Sequence, residues 1–194
     1  MQKSEHLKLM IPSLEDFEQI VEIDHILFPE ETWITATELQ KRLLYNPKVT
    51  HVLKDVQANN VVGYISMSPL KQNILEKLIK LEIDETSIKP EDFMPYLPND
   101  PLDCYVVSIA AKPGLNSLSK IHAGRLIYAM RDFIQESLAE GIIIQHIYSV
   151  ATTKGGDKLA QRLGFQPLVL EKKWSNSYED FRKVYVLALE DKGI

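Results

Sequence analysis

An uncharged apolar segment, Tyr105 to Ala111, is the feature that most constrains the fold. Its β-branched residues predict a strand buried in the middle of a sheet. Pro113 and Gly114 interrupt it, and from Ile121 to Leu138 apolar residues recur at the spacing of one helix face. A strand that leads into a helix through a loop of small residues exposes free backbone N–H groups and the positive end of the helix. This geometry suits a phosphate-bearing ligand, and an ordinary strand–helix unit with nothing bound is the alternative.

Composition and charge narrow the class of protein. The 194 residues suit one domain, residues 1–194, and the shares of hydrophobic (45%) and charged (25%) residues are ordinary for a globular protein. The net charge of −5 argues against a nucleic-acid partner. The longest apolar run is too short to cross a membrane and the N-terminus has no apolar signal region, so we expect no membrane partner and a cytoplasmic location. Cys104 is the single cysteine, and we interpret it as a buried structural thiol.

Strands and helices are mixed along the rest of the chain. Apolar alternation predicts strands at 6–11, 49–56, 61–67, 142–150, 165–170 and 182–189. Helices are predicted from Ser13 to about Phe28, from Thr35 or Thr37 to Asn46, and over 155–163 after Thr152 or Thr153. This order predicts an α/β (α+β) fold, with a mixed sheet of about six or seven strands and helices on both faces.

Two segments depart from this rhythm. The segment from 70 to 101 carries one amphipathic helix, predicted over 73–81, and four prolines. We interpret it as an insertion or lid, because a connection of that length is usually functional or disordered. Residues 172–180 are predicted to form a polar connection before the last strand.

Two short motifs in the second half resemble those of the GNAT superfamily of acetyl-CoA-dependent N-acetyltransferases. Leu159 to Phe165 is similar to the family's Leu-Tyr-x-Lys-Leu-Gly-Phe at the end of the helix after its fifth strand, and Ile109 to Pro113 is similar to the end of its fourth strand. The element order extends the resemblance over nearly the whole chain. It implies a mostly antiparallel GNAT-like sheet, and the transfer of an acetyl group from acetyl-CoA, the co-substrate, to an amine that attacks the thioester directly.

The resemblance also implies where acetyl-CoA binds. In the family the fourth and fifth strands diverge and the fourth pairs with the pantetheine arm, with a backbone N–H near Ser108 or Ile109 polarising the thioester carbonyl. Only Gly124 keeps the family's pyrophosphate-loop pattern, because Ser119 stands for its Arg or Gln and His122 for a glycine. The implied binding residues are Val107, Ser108, Ile109, Ala110 and Ala111 on the strand, and Ser119, Lys120, Ile121, His122, Ala123, Gly124 and Arg125 at the loop.

The residue that acts as general acid in many family members is absent from this chain, so the acid must be sought elsewhere. Many members place a tyrosine four residues before the Gly of Leu-Gly-Phe, where this chain has Ala160, and the usual Asn before that helix is Thr153. Tyr148 and Ser149 lie near the end of the predicted fifth strand, and one of them should face the gap between the strands. They are the candidate acids toward the departing thiolate, although a tyrosine there is also typical of a core.

Carboxylates near the same strands are the candidate bases. Asp103 lies near the start of the fourth strand, and Glu30 or Glu31 follows the first helix. Each would act through water, and the alternative is a solvated surface acid, which is what a lone surface carboxylate usually is. The five histidines lack metal-ligand spacing, so no metal is predicted, and His146 is interpreted as structural.

The implied acceptor is a small-molecule or peptide amine. It would lie between the first two helices, the 70–101 segment and the final hairpin, where acidic residues suit a cation. The alternative function is a catalytically inactive GNAT-fold binding or regulatory module that holds CoA non-catalytically or not at all. A more distant alternative is an unrelated α/β domain whose helix N-terminus binds another phosphate compound. Pairing of the final hairpin between two chains would give a homodimer.

Overall fold

The computed structural model describes residues 6–113, 118–168 and 182–189. Within them lies one seven-stranded sheet with the strand order β1-β2-β3-β4-β5-β7-β6. The β4–β5 pair is parallel and the other pairs are antiparallel. The mixed, mostly antiparallel sheet that we predicted is therefore confirmed. Its strands are β1 (Leu7–Met10), β2 (Thr50–Asp55), β3 (Asn60–Pro69), β4 (Pro101–Ala111), β5 (Ile143–Ala151), β6 (Gln166–Pro167) and β7 (Lys183–Ala188).

The described helices cover both faces of this sheet, as predicted. On one face α4 (Leu118–Ala139) and α5 (Lys154–Arg162) pack against a large apolar cluster. On the other face α1 (Leu14–Leu27) and α2 (Ala36–Tyr45) cover a second cluster, and α3 (Gln72–Ile79) lies against a third. None of the described helices combines the length and apolar character that crossing a membrane requires.

Side-chain caps start α1 and α2 at predicted positions. Oδ2 of Asp16 accepts hydrogen bonds of 2.8 Å from both the N–H and the Oγ of Ser13, which holds the first turn of α1. Oγ1 of Thr35 accepts a hydrogen bond of 3.2 Å from the N–H of Glu38. Thr35 is therefore the cap of α2, and Thr37, the alternative, lies inside the helix.

The 70–101 segment is a packed layer. Besides α3 it contains two short 3-10 turns, Glu85–Ser87 and Pro90–Asp92. Its apolar side chains are buried against β4 and β5, and Leu43 of α2 packs against the same cluster. The segment therefore extends the layer of α1 and α2 across the centre of the sheet. Its buried apolar members are Leu70, Leu75, Leu78, Ile88 and Phe93.

Two predicted boundaries are wrong. We expected a loop over 119–124, but α4 already begins at Leu118, so these residues form its first turns. At the start of α4, Leu118 stands alone among Ser117, Ser119 and Lys120, which is why the apolar pattern does not reveal where the helix begins. The strand predicted over 165–170 is present only as Gln166–Pro167. Residues 169–170 and the connection predicted over 172–180 lie outside the described residues.

The helix α4 approaches the sheet closely at Gly63. A Cβ atom on Gly63 would lie 2.8 Å from the carbonyl oxygen of Ala110 and 2.8 Å from Cδ1 of Leu126. Only glycine leaves room for the helix at this distance. Gly63 therefore sets how close the N-terminal half of α4 lies to β3 and β4.

Candidate active site

The hydrogen-bonded ladder between β4 and β5 is incomplete. Their parallel pairing ends at Val106 of β4 and Ser149 of β5. On its other side β4 stays paired with β3 as far as Ala111. Residues 107–111 therefore have no strand partner on the β5 side within the described ranges, and we call the space beside them the β4–β5 gap. The end of this pairing lies where the family resemblance implies that the two strands diverge.

A β-bulge accompanies the end of the ladder. Ser108 pairs with Ser66 and Val106 pairs with Met67, so Val107 is an extra residue on β4. Such a bulge bends a strand and increases its local twist, and here it lies one residue beyond the last β4–β5 pair. Because successive residues of a strand present their N–H groups at opposite edges, either Ser108 or Ile109 directs its N–H toward the gap.

The side chains of the unpaired segment are largely used for packing. Ile109 and Ala111 pack against the cluster under α4, Ala110 packs against the cluster under α1, and Val107 packs against the 70–101 segment. The groups that this segment can offer a ligand in the gap are thus mainly those of its backbone.

The N-terminus of α4 follows the same end of β4. The N–H groups of its first turn, including those of Ser119 and Lys120, have no partner within the helix and carry the positive end of the dipole of a 22-residue helix. A Cβ atom on Gly124 would have no neighbouring heavy atom within 4 Å, so the space beside this glycine is open. The arrangement can receive an anionic group.

His122 lies in the first turns of α4, one turn before Leu126. Its Nδ1 atom is buried and has no hydrogen-bond partner in the described part of the chain. Burial lowers the pKa of the imidazole, and the charge of Asp55, which acts to raise it, does not outweigh burial. His122 is therefore neutral at pH 7. Of its neighbours in these turns, Ala123 is half-buried, and Ile121 and Arg125 are exposed.

The two candidate acids face opposite sides of the sheet. Tyr148 packs with the 70–101 segment. Ser149 lies on the same face of β5 as Ile147 and Ala151, which belong to the cluster under α4 and α5. Ser149 forms the last pair of the β4–β5 ladder and also pairs with Tyr185 of β7. Both candidates therefore border the gap, one from each face.

Asp103 lies beside a histidine that we interpreted as purely structural. Nδ1 of His146 is 2.8 Å from Oδ1 of Asp103, and the two residues are directly opposite in the β4–β5 register. The ring of Tyr148 lies 6.0 Å from that of His146. Burial, followed by the charge of Asp103, raises the pKa of the Tyr148 phenol. Asp103, His146 and Tyr148 thus form one polar group on the face covered by the 70–101 segment.

The 70–101 segment is also tied to β4 by a buried hydrogen bond. The hydroxyl of Tyr105, which is fully buried, donates to Oε1 of Glu85 at 2.5 Å. Burial raises the pKa of Glu85, although this hydrogen bond and the charge of Arg182 oppose it. The bond fixes the segment over the last pairs of the ladder.

The remaining predicted positions lie outside this group. Glu30 and Glu31 are exposed in a 3-10 turn that follows α1. Oγ1 of Thr153 accepts a 3.0 Å hydrogen bond from the N–H of Gly156 and caps α5. Ala160 is 8% exposed and packs in the core, so α5 supplies no acidic side chain at that position.

A second buried polar group joins Ser108 to Tyr64, Asp24 and Arg42, three residues that the sequence did not single out. The hydroxyl of Tyr64 on β3 donates to Oδ1 of Asp24 on α1 and lies 2.8 Å from Oγ of Ser108. Burial raises the pKa of Asp24 to about 6. Arg42 on α2 is 2% exposed, and its guanidinium carbon lies 4.9 Å from the ring centre of Phe93. Burial lowers the pKa of Arg42 to about 10.

Comparisons with known proteins agree with this architecture. No protein-family model matches the chain, and no curated protein does. Solved structures do match. The loading GNATL domain of CurA from Lyngbya majuscula superposes with a TM-score of 0.63 at 13% identity, over 95% of this chain and 98% of that one. Naa50 of Arabidopsis thaliana in complex with the bisubstrate analogue CoA-Ac-MVNAL superposes with a TM-score of 0.56 at 12% identity, over 95% of this chain and 99% of that one.

A third similar structure is a GNAT superfamily phosphinothricin acetyltransferase from Sinorhizobium meliloti in complex with acetyl-CoA. It gives a TM-score of 0.54 at 15% identity, over 95% of this chain and 89% of that one. At these identities the similarity establishes the fold. The chain has the GNAT fold, and the resemblance seen in its sequence is confirmed at that level.

Proposed function

We propose that the protein is an acetyl-CoA-dependent N-acetyltransferase whose acceptor amine attacks the thioester directly. The observation that carries the proposal is the incomplete β4–β5 ladder, which ends at Val106 and Ser149. It leaves the backbone of residues 107–111 available to pair with an extended amide-containing arm.

The residues beside the gap fit acetyl-CoA. The backbone of Val107–Ala111 would hold the pantetheine amides, and the N–H of Ser108 or Ile109 would polarise the thioester carbonyl. The N-terminus of α4 would receive the pyrophosphate, with open space at Gly124. When bound, the co-substrate supplies the activated acetyl group.

The acceptor would reach the gap from the face covered by α1, α2 and the 70–101 segment. Two of the similar structures suggest acceptors of different size: Naa50 is bound to the bisubstrate analogue CoA-Ac-MVNAL, and the other protein is, by its name, a phosphinothricin acetyltransferase. We propose a primary amine, on a peptide or a small molecule. Asp103, held against His146, could take its proton through water, and Tyr148 or Ser149 could protonate the departing thiolate.

Calorimetry with acetyl-CoA and with CoA tests the proposal. Binding in the micromolar range is expected, and at a concentration of 100 Kd the ligand should stabilise the fold by about 2.7 kcal/mol. Absence of binding by either compound would overturn it. Thiol release in the presence of a panel of amines then separates an enzyme from a binding protein.

The alternative, a GNAT-fold module without catalysis, is favoured by one observation. Ala160 is buried where many family members place an acidic tyrosine. Binding of acetyl-CoA together with no thiol release for any amine in the panel is the result expected of such a module.

A further inference from the structure

Three side chains link the unpaired part of β4 to a buried carboxylate on α1. The hydroxyl of Tyr64 donates to Asp24 and lies 2.8 Å from Oγ of Ser108. Tyr64 is 2% exposed and Asp24 is 8% exposed, whereas Ser108 is half-buried. The hydrogen-bonded chain therefore has one end in the interior and the other end on the strand segment that borders the β4–β5 gap.

The hydrogen atoms of this chain can be arranged in one way. A phenol has a single proton, and Tyr64 uses it in the bond to Asp24, so its oxygen accepts from the hydroxyl of Ser108. The hydroxyl of Ser108 then keeps a lone pair with which to accept from a third group. All of these hydrogen bonds therefore point in the direction that would carry a proton from the gap to the carboxylate of Asp24.

We propose that Ser108, Tyr64 and Asp24 take up the proton that the acceptor amine loses during acetyl transfer, with Asp24 as the final acceptor. The proposal rests on the acetyltransferase function proposed above. It makes Ser108 a residue that contacts the substrate, and it makes Tyr64 and Asp24 residues that act through it.

Protons and electrons are conserved along this route. The nitrogen lone pair forms the bond to the acyl carbon, and the carbon–sulfur bond breaks with its electron pair on sulfur. The proton shed by nitrogen passes to Oγ of Ser108, the Ser108 proton passes to Tyr64, and the Tyr64 proton passes to Asp24. One carboxylate is protonated for each amide formed, and no reactant beyond the amine and the thioester is consumed.

The position of Ser108 favours this route over one through Asp103. Asp103 lies three residues before Val106, where the ladder ends, which is about 10 Å along a strand. It is also hydrogen-bonded to His146 at 2.8 Å. A proton from the gap would need several water molecules to reach Asp103, whereas Ser108 lies within the unpaired segment itself.

The surroundings of Asp24 suit a proton acceptor. Burial raises its pKa to about 6, against the Tyr64 hydrogen bond and the charges of His25 on α1 and Arg42 on α2. In the described ranges these are the titratable groups that act on Asp24 from its own helix and from the elements packed against it. The carboxylate is therefore ionised at pH 7, and its pKa lies close enough to pH 7 for it to accept a proton.

The test compares Asp24→Asn, Tyr64→Phe and Ser108→Ala with the wild type in thiol release from acetyl-CoA, with spermidine, phenylethylamine and a pentapeptide with a free α-amino group as acceptors. In the wild type, kcat/KM should fall more steeply with decreasing pH below about pH 6 than above it, because Asp24 becomes protonated there. Each variant should lose about 100-fold in kcat/KM at pH 7, and Asp24→Asn should also lose the steep acid limb. Ser66→Ala is the matched control, because Ser66 pairs with Ser108 in the ladder but shares its hydroxyl contact with Thr50.

A readout without turnover checks the buried end of the path. The Tm of the wild type should fall on going from pH 5 to pH 8 relative to that of Asp24→Asn, because only the wild type must ionise a buried carboxyl. Calorimetric binding of acetyl-CoA should be the same in the wild type and in Asp24→Asn.

The outcomes separate the two proposals. An active wild type whose pH profile is unchanged in Asp24→Asn and Ser108→Ala would overturn the proton path and leave the acetyltransferase in place. The same holds if Asp103→Asn costs more activity than Asp24→Asn. A wild type that binds no acetyl-CoA and acetylates none of the three amines would overturn the proposed function, and the path with it.

Discussion

At the scale of single residues, two lysine–carboxylate pairs differ in their surroundings. Nζ of Lys54 lies 2.6 Å from Oδ1 of Asp16, and the Asp16 side chain is 1% exposed. Lys48 and Glu140 also form an ion pair, but both side chains are solvated. Burial alone would raise the pKa of Asp16, yet the hydrogen bonds from Lys54 and Ser13 and the charge of Lys54 outweigh burial and lower it.

Lys54→Met should therefore destabilise the protein strongly. It leaves a buried carboxylate without its cation, at a cost of about 3 to 5 kcal/mol in the free energy of unfolding. Because the folded-state pKa of Asp16 lies below 3.8, the contribution is present above that pH and is lost as the pH falls through the folded-state value. Urea denaturation at pH 7 and at pH 3 measures both effects, and the difference from the wild type should shrink at pH 3.

Lys48→Met is the matched control for that experiment. It removes the same residue type from an exposed ion pair, so the loss should stay below about 1 kcal/mol. Equal losses in the two variants would contradict the assignment of Lys54 to a buried pair.

Residues joined by local contacts were predictable from the sequence, and residues joined across the fold were not. Ser13 and Asp16 are three positions apart, and the cap they form follows from the pattern of helix starts. Asp103 and His146 are 43 positions apart, and their contact depends on the parallel register of β4 and β5. No local pattern encodes that register, so His146 was assigned to structure alone.

At the scale of elements, two glycines have opposite relations to α4. Gly63 on β3 lies where the helix touches the sheet, and a Cβ atom there would collide with a backbone carbonyl. Gly124 lies within α4 with open space beside it. Steric crowding therefore accounts for the first glycine, and nothing in the packing of the described chain requires the second.

Gly63→Ala should lower the free energy of unfolding by about 2 kcal/mol, because overpacking forces α4 or β4 to shift. Thermal unfolding measures the loss. A variant as stable as the wild type would show that there is room for a Cβ atom at Gly63, and so that Ala110 and Leu126 lie farther from it than 2.8 Å.

Gly124→Ala should have effects of opposite sign on stability and on binding. Alanine favours a helix over glycine by up to about 1 kcal/mol, so Tm should rise. The new methyl group would occupy the open space assigned to the pyrophosphate, so the affinity for acetyl-CoA should fall in calorimetry. A rise in Tm with unchanged affinity would move the phosphate site away from Gly124.

The boundaries of elements show why sequence patterns lose resolution at the site. The apolar stripe of α4 could be read from Ile121 onward, but the start of the helix at Leu118, which stands among serines and a lysine, could not. Likewise, the 70–101 segment was recognised as an irregular insertion, while its packing against Tyr105 and Val107 depends on long-range contacts. Turns that bind ligands or solvent carry little apolar signal.

At the scale of the whole molecule, Cys104 reports on the integrity of the core. It lies on β4 with no exposed surface, and burial raises the pKa of its thiol. The prediction of a buried thiol is confirmed. Because the chain has one cysteine, labelling of this site measures opening of the central sheet without interference.

A thiol reagent should therefore modify the native protein at least about 10³-fold more slowly than the urea-unfolded protein. Acetyl-CoA at 100 Kd should slow native labelling by about a further 100-fold, if it binds only the folded state. Mass spectrometry of quenched samples gives both rates. Rapid labelling of the native protein would place Cys104 in a region that opens locally.

The incomplete ladder between β4 and β5 also has a mechanical consequence. It divides the sheet into two antiparallel ribbons, β1 to β4 and β5 with β7 and β6, which are held together along six residue pairs. A ligand lying in the gap would act as a strand shared by both ribbons and would couple their motions. Deuterium uptake should then fall on both sides together when acetyl-CoA binds, at residues 107–111 and at residues 150–151.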